Sequence, residues 1–272
     1  MERREKILKH IDRDGRGLEI GPGYCPAAPK KDGFQVETID YLDQEGLVEK
    51  FQRDGVDTDR VEEVDFVWKG EPYAELTGKR KYYDWVIASH VIEHTPDLIG
   101  FLNECDSVLK DDGVLSLVIP DKRFCFDHFR PLTSIAEVID SHLRKPGSHT
   151  PGKVLDFYLN TVEKAGIGAW NPEVEGEYEL CTSWDEAVGK MNAAMAENGY
   201  QDVHAWCFVP HSFRLMLSDL YRLGMIPFRE IEFFPTEGCE FFLTIGRAGK
   251  GLGVSRLEMM KTVEFELVNQ PG

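Results

Sequence analysis

Short apolar runs alternate with amphipathic stretches over the first 120 residues of the chain. Between the apolar runs, residues 44–52 and 98–109 carry apolar positions at helical spacing, and Gly113 follows the second stretch. The apolar runs have the length and composition of buried strands, and they occupy residues 18–20, 34–39, 64–68, 83–89 and 114–120. Strands and helices that alternate in this way predict a parallel α/β sheet.

The second half of the chain is less regular. Residues 121–209 interleave proline, glycine, histidine and aromatic residues without a clear period. A helical pattern returns at 212–223, and residues 228–234 and 241–245 have the pattern of two strands around a turn, which predicts an antiparallel hairpin. We therefore divide the chain into a core of residues 1–120 and 210–248, a substrate-side insertion of residues 121–209, and a C-terminal extension of residues 249–272.

Composition and charge restrict the function. At 272 residues and 42% hydrophobic, the chain is long enough to bury a sizeable core. Its formal net charge of −17 opposes association with nucleic acid or an anionic membrane surface. No stretch is apolar enough to span a membrane, and the charged N-terminus lacks the apolar region of a signal peptide. We expect a cytoplasmic protein without a nucleic-acid partner.

A glycine-containing turn follows the first predicted strand. Gly21 and Gly23 can adopt backbone angles that let a ligand approach the main chain closely. Asp40 ends the second predicted strand, where a carboxylate can accept the hydroxyl hydrogens of a ribose. Pro26 stands where a dinucleotide-binding turn needs its third glycine, and Pro26 and Pro29 together predict a short or distorted first helix. The pattern indicates a nucleotide-type cofactor other than NAD or FAD.

Taken in order, these motifs resemble those of class I S-adenosylmethionine-dependent methyltransferases, over residues 15–120 and 211–247. The resemblance implies an α/β, Rossmann-like fold: a mostly parallel seven-stranded sheet, a terminal antiparallel hairpin and a large insertion after the fifth strand. It also implies S-adenosylmethionine as cofactor, with Asp40 on the ribose and Asp65 and Phe66 on the adenine. The implied cofactor-binding residues are Glu19, Ile20, Gly21, Pro22, Gly23, Asp40, Tyr41, Asp65, Phe66, Ser89 and His90.

Candidate catalytic residues lie mainly in the predicted insertion, which begins at the carboxyl end of the fifth strand. Methyl transfer to a hydroxyl group requires removal of its proton, which a histidine can accept. His128, oriented by the neighbouring Asp127, is the first candidate for this general base. His204 is the second candidate and His94 the third.

The same insertion contains candidate substrate-binding residues. Arg123 and Arg130 have the charge to hold an anionic group of the substrate. Trp206 has the flat apolar face that stacks on a sugar ring. The alternative is structural: a charged loop held to the core by its phenylalanines, and a tryptophan that belongs to the core.

The runs 120–123 and 126–130 resemble bacterial methyltransferases associated with surface-glycan synthesis. This resemblance implies O-methylation of a sugar or glycan-related hydroxyl, with a small-molecule or glycan acceptor as the partner. Two alternatives stay open: a non-catalytic S-adenosylmethionine-binding regulator or scaffold, and a zinc hydrolase that uses His90, Glu93 and His94. The methyltransferase hypothesis assigns no metal ligands, and it leaves the oligomeric state open.

Overall fold

The computed structural model describes residues 1–196 and 200–269. The strands in this part of the chain are β1 (Arg16–Ile20), β2 (Gln35–Asp40), β3 (Phe66–Val67), β4 (Tyr83–Ser89), β5 (Leu109–Pro120), β6 (Val162–Lys164), β7 (Tyr178–Leu180), β8 (Arg229–Glu237) and β9 (Glu240–Gly246). Seven of them form one sheet in the order β3-β2-β1-β4-β5-β9-β8, and β6 pairs with β7 separately.

The α-helices of the same ranges are α1 (Arg3–Leu8), α2 (Gln44–Arg53), α3 (Tyr73–Leu76), α4 (Leu98–Val108), α5 (Ile135–Arg144), α6 (Pro151–Asn160), α7 (Trp184–Ala196), α8 (Pro210–Arg222) and α9 (Arg256–Val268). The predicted helices at 44–52, 98–109 and 212–223 correspond to α2, α4 and α8. None of the helices in the described residues has the length and apolarity needed to cross a membrane.

The sheet confirms the predicted fold class. The strands from β3 to β5 run parallel, whereas β9 pairs antiparallel with both β5 and β8. Five parallel strands followed by an antiparallel pair are the Rossmann-like arrangement that the resemblance implied. The division of the chain into a core, an insertion and an extension remains a prediction.

The two central strands are buried on both faces. Val86 and Ile87 of β4 and Leu117 and Val118 of β5 have no exposed surface, although neighbouring side chains point to opposite faces. This burial explains why these strands are continuous apolar runs instead of alternating ones. The sheet edge at their carboxyl ends is therefore held rigidly, and it supports the site described below.

The N-terminal helix α1, which was not predicted, packs on the sheet. Ile7 is buried, and its carbonyl oxygen accepts a hydrogen bond from Ser116 Oγ at 2.8 Å. From the start of the same helix, Arg3 reaches the carboxylate of Glu240 at 2.6 Å and Ser89 Oγ at 3.0 Å. A residue far from the motifs in sequence thus lies at the carboxyl end of β4.

Residues 121–209 are more ordered than the sequence indicated, because they include α5, α6 and α7. Ser134 and Thr150 cap the first two of these helices by accepting hydrogen bonds from backbone NH groups. Each of the three helices has a single buried residue, and these are Val138, Val154 and Ala187. The prediction of an irregular segment was wrong here. In α5, Ile135, Val138 and Ile139 recur at helical spacing and pack on the core, so a helical signal was present there, whereas α6 and α7 have narrower apolar stripes.

Candidate cofactor and acceptor site

A cavity of about 1130 Å³ lies at the carboxyl ends of β1, β2 and β4, the edge at which open α/β sheets bind ligands. Nine of the predicted cofactor-binding residues line it: Glu19, Ile20, Gly21, Pro22, Gly23, Asp40, Tyr41, Ser89 and His90. Apolar and aromatic side chains that the sequence did not single out complete this part of the wall, namely Tyr24, Leu47, Phe51, Trp68, Tyr73 and Phe101. The cavity therefore combines hydrogen-bonding groups with surfaces suited to a purine ring.

The turn after β1 is held by a buried carboxylate. Gly21 and Gly23 adopt φ values of +63° and +52°, which favour glycine. Glu19 accepts hydrogen bonds from the backbone NH groups of Ala27 at 2.7 Å and Ala28 at 3.1 Å. Burial raises the pKa of Glu19 to about 7, against the lowering effect of these hydrogen bonds. In place of a full first helix there is only a 3-10 turn at Lys30–Asp32, which confirms the effect expected of the prolines.

Asp40 lies at the end of β2 and joins the two loops of the cavity. One carboxylate oxygen accepts a hydrogen bond from the NH of Gly23 at 3.3 Å, and the other accepts one from the NH of Tyr41 at 2.8 Å. Burial raises the pKa of this carboxyl to about 6. A carboxylate held in this way keeps lone pairs available for two vicinal hydroxyl groups.

Asp65 and Phe66, which the resemblance placed on the adenine, do not line the cavity. The exposed Asp65 accepts hydrogen bonds from the backbone NH of Thr38 at 2.8 Å and from Lys30 Nζ at 2.6 Å. The strand β3 has only two residues, and Trp68, the residue that follows it, is the first of this segment to line the cavity.

His90 follows β4 in an unusual backbone conformation, with φ at +55°. Its Nε2 lies 2.7 Å from Glu240, and its Nδ1 lies 3.4 Å from Glu93. Burial alone would lower the pKa of His90, but the two carboxylates raise it to about 9. Both ring nitrogens of His90 face carboxylates.

Comparison with known families identifies the family of the chain. A family model described as a methyltransferase domain matches residues 1–219, which include the whole parallel part of the sheet and the turn after β1. The chain belongs to this methyltransferase family. It is an S-adenosylmethionine-dependent methyltransferase, and S-adenosylmethionine is its cofactor.

Solved structures resemble the methyltransferase only distantly. The PH0226 protein from Pyrococcus horikoshii OT3 aligns with a TM-score of 0.43 at 13% identity, over 89% of each chain. A Burkholderia thailandensis 1,6-didemethyltoxoflavin-N1-methyltransferase, solved with 1,6-didemethyltoxoflavin and S-adenosylhomocysteine, aligns with a TM-score of 0.41 at 12% identity. This second alignment covers 89% of this chain and 75% of that one. Similarities this low assign no acceptor. No curated protein sequence matches the chain.

The position of Asp40 predicts a direct effect on cofactor affinity. The change Asp40→Ala should weaken S-adenosylhomocysteine binding to the methyltransferase by about 1–3 kcal/mol, because a buried pair of acceptors for the ribose hydroxyls is lost. Asp65→Ala is the matched control and should leave the dissociation constant unchanged, since Asp65 lies outside the cavity. Calorimetric titration measures both variants. Equal losses in the two would disprove the assignment.

Cofactor affinity should also depend on pH. The ionised Asp40 accepts hydrogen bonds, and its pKa of about 6 places protonation just below neutral pH. The affinity for S-adenosylhomocysteine should therefore fall as the pH drops below about 6, by at most about tenfold per unit. Titrations between pH 5 and pH 8 test this. The decline should disappear in Asp40→Asn, and a decline that persists would assign the titration to another group.

The acceptor side of the methyltransferase contains a buried charge network around Asp127. This carboxylate accepts a hydrogen bond from Arg130 Nη1 at 2.7 Å, and its other oxygen lies 2.6 Å from His204 Nδ1. Burial would raise the pKa of Asp127, but His204 and Arg130 lower it to about 2. The Arg130 guanidinium also binds Asp156 at 2.8 Å, so it is satisfied within the protein. Asp127 therefore orients His204.

The predicted pairing of Asp127 with His128 is wrong. The ring of His128 turns away, with Nδ1 2.7 Å from the carbonyl oxygen of Arg123. It stacks on Tyr178 at a centroid distance of 4.9 Å, and burial lowers its pKa. Because Asp127 orients His204 and not His128, the structure does not supply the pair on which the first candidate base depended.

The predicted substrate-binding residues are engaged within the protein, and Arg130 and Trp206 line a second cavity, of about 480 Å³. The guanidinium of Arg123 forms an ion pair with Asp121 at 2.5 Å, and the buried Arg130 is bound as described above. Trp206 is 2% exposed, and its Nε1 donates a hydrogen bond to the carbonyl oxygen of Thr95 at 2.6 Å. None of these three residues lines the cofactor cavity. These contacts favour the structural alternative, and the substrate-binding roles remain predictions.

His94 is the predicted base that does line the cavity. Its ring contacts that of His204 edge to face at a centroid distance of 4.5 Å, and Glu93 lies beside both. Among the described residues, the potential ligand atoms of Glu93, His94 and His204 lie within 4.8 Å of one another. We call these three residues the acceptor-side cluster. It excludes His90, so the hydrolase triad of His90, Glu93 and His94 is not assembled.

The sequence missed several residues of this region. Asp202 Oδ1 lies 2.9 Å from His94 Nδ1, and Asp202 also accepts a hydrogen bond from Lys50 at 2.9 Å. Lys50 in turn donates to the Tyr41 hydroxyl at 2.5 Å. This chain of contacts links the cofactor loops to the acceptor-side cluster. The only sequence signal for it was the pair of adjacent titratable residues Glu93 and His94 directly after a buried strand.

Proposed function

We propose that this methyltransferase transfers the methyl group of S-adenosylmethionine to a hydroxyl oxygen of a sugar or glycan-related acceptor. The observation that carries the proposal is that one cavity joins the cofactor-binding strand ends to His94, which belongs to a cluster of buried titratable groups. An oxygen nucleophile must lose its hydroxyl proton, and a cluster of titratable groups beside the cavity can accept it.

The shape of the cavity supports a polar acceptor. Beyond the strand ends, the wall continues through hydrogen-bonding side chains with both donor and acceptor atoms: Asp97, His142, Lys145, Tyr200 and Asp202. Asp97 and His142 contact each other, with His142 Nδ1 2.9 Å from the Asp97 carboxylate. Alternating donors and acceptors beside aromatic rings suit a compound with several hydroxyl groups.

The chemistry needs mainly alignment and proton removal. The acceptor oxygen attacks the methyl carbon in line with the carbon–sulfur bond, whose electron pair returns to sulfur and leaves S-adenosylhomocysteine. The rigid sheet edge positions the donor, and such positioning supplies a large part of the rate enhancement. The hydroxyl proton leaves through the acceptor-side cluster. His204 of this cluster is oriented by Asp127, which contacts the Nδ1 atom of His204.

A transfer assay with S-adenosylmethionine labelled in its methyl group tests the proposal. The acceptors to compare are monosaccharides, nucleotide sugars and oligosaccharides against amines and carboxylates of similar size. We expect label in an ether that survives mild base. Label only in amines or in base-labile esters would refute the proposed acceptor, and binding of S-adenosylhomocysteine would verify that the protein is intact.

A further inference from the structure

Glu93 is a buried carboxylate without a hydrogen-bonding partner. It has no exposed surface, and neither carboxylate oxygen accepts a hydrogen bond from any of the described residues. The nearest charged group is the partly exposed His90, whose Nδ1 lies 3.4 Å from Glu93 Oε1 and which also pairs with Glu240. A buried carboxylate is costly unless other charges or a metal ion compensate it, and one histidine shared between two carboxylates compensates Glu93 only in part.

The two histidines beside Glu93 present ligand atoms to it. Nδ1 of His204 is bound to Asp127 at 2.6 Å, so its Nε2 is the atom left for another partner. A carboxylate that holds the far nitrogen of an imidazole is the usual support of a metal-binding histidine. Nδ1 of His94 is buried without a hydrogen bond among the described residues, although Asp202 lies 2.9 Å from it.

The distances fit a single ion. The ligand atoms of Glu93, His94 and His204 lie within 4.8 Å of one another. This separation is about twice a metal–ligand bond of roughly 2.1–2.4 Å, so small side-chain movements suffice to close the site. Two imidazoles and one carboxylate bind first-row divalent ions and leave coordination positions open.

We propose that Glu93, His94 and His204 bind one divalent transition-metal ion at the acceptor end of the cofactor cavity. Its role in catalysis rests on the proposed function, because the open positions would take a hydroxyl oxygen of the acceptor. Such an ion lowers the pKa of a bound hydroxyl group. The hydroxyl proton passes to solvent, the oxygen forms the new bond to the methyl carbon, and the carbon–sulfur electron pair goes to sulfur. The net products are the methyl ether, S-adenosylhomocysteine and one proton.

The full-length protein, stripped of metal with EDTA and dialysed, tests the site directly. We expect one equivalent of Co²⁺ to bind, with the visible absorption of a protein-ligated ion, and Mn²⁺ and Zn²⁺ to compete for it. Glu93→Gln and His204→Asn should each weaken binding at least tenfold. His211→Asn is the matched control, because His211 pairs with Glu266 away from the cluster, and it should retain the full affinity.

S-adenosylhomocysteine affinity shows whether each variant is folded. If one variant does not fold, the other still tests the site. Absence of Co²⁺ binding by the wild-type protein, or equal binding by wild type and both folded variants, would overturn the proposal. Full activity of the EDTA-treated enzyme on a sugar would overturn the catalytic role of the ion and leave the proposed function intact. Stoichiometric metal without methylation of any hydroxyl would refute the proposed function alone.

Discussion

Replacing His94 with asparagine should lower the kcat of methyl transfer by about a hundredfold to ten-thousandfold, because the hydroxyl proton loses either the base that accepts it or a ligand of the ion that acidifies it. His94 is the member of the acceptor-side cluster that lines the cavity, so its loss separates the acceptor from Glu93 and His204. Asparagine retains a polar side chain but has no basic nitrogen. Steady-state kinetics with the identified acceptor measure the change.

The matched control is His128→Asn. The sequence favoured His128 as the base, whereas the structure turns its ring onto Tyr178. We expect kcat to stay within about threefold of the wild-type value, because the substitution touches neither the cavity nor the cluster. Both variants should bind S-adenosylhomocysteine normally. A large loss with His128→Asn and none with His94→Asn would reverse the assignment.

Replacing Gly17 with alanine should reduce the free energy of unfolding by about 3 kcal/mol, at the upper end of the cost of overpacking. Gly17 of β1 lies opposite Trp85 of β4 in the sheet. A methyl group at Gly17 would overlap three carbon atoms of the indole ring. The ring cannot move away easily, because it has no exposed surface and its Nε1 donates a hydrogen bond to the carbonyl oxygen of Asp12 at 2.9 Å.

Two further variants separate this clash from a general effect of alanine. Gly189 is exposed in α7, and a methyl group there would contact no other atom. Gly189→Ala should therefore leave the free energy of unfolding unchanged or raise it by up to about 1 kcal/mol. In a Trp85→Leu background, Gly17→Ala should cost much less than in the wild type, which gives a non-additive double-mutant cycle. Denaturant unfolding measures the wild type, the three single variants and the double variant. Additive costs would rule out the clash.

Much of the fold could be predicted because its signals are local. The buried strands β4 and β5 are apolar runs, and the apolar positions of α4 recur at helical spacing. The signal was weaker in α6 and α7, which each bury one residue, and the helical spacing of the apolar residues in α5 was overlooked. The signal failed for α1, whose place on the sheet depends on a hydrogen bond to Ser116, more than 100 positions away in sequence.

The cofactor side of the site was predictable for a related reason. Glu19 and Asp40 lie near the carboxyl ends of β1 and β2, and Gly21 follows β1. These ends must meet at one edge of a parallel sheet, so strand order alone brings the three residues to the cavity. Asp65 was misplaced because β3 is only two residues long and the chain enters the cavity beyond it. An error of a few residues at a strand end changes which side chain faces the ligand.

The sequence by itself determined the α/β fold, the turn after β1 and the carboxylate at the end of β2, because each depends on short-range periodicity or on a backbone conformation that glycine allows. Only the tertiary structure decided that Asp127 holds His204 instead of its neighbour His128, and that His204 meets Glu93 and His94. These contacts join residues up to 111 positions apart in sequence. In an irregular segment the direction of each side chain is set by packing with distant parts of the chain, and no local pattern records it.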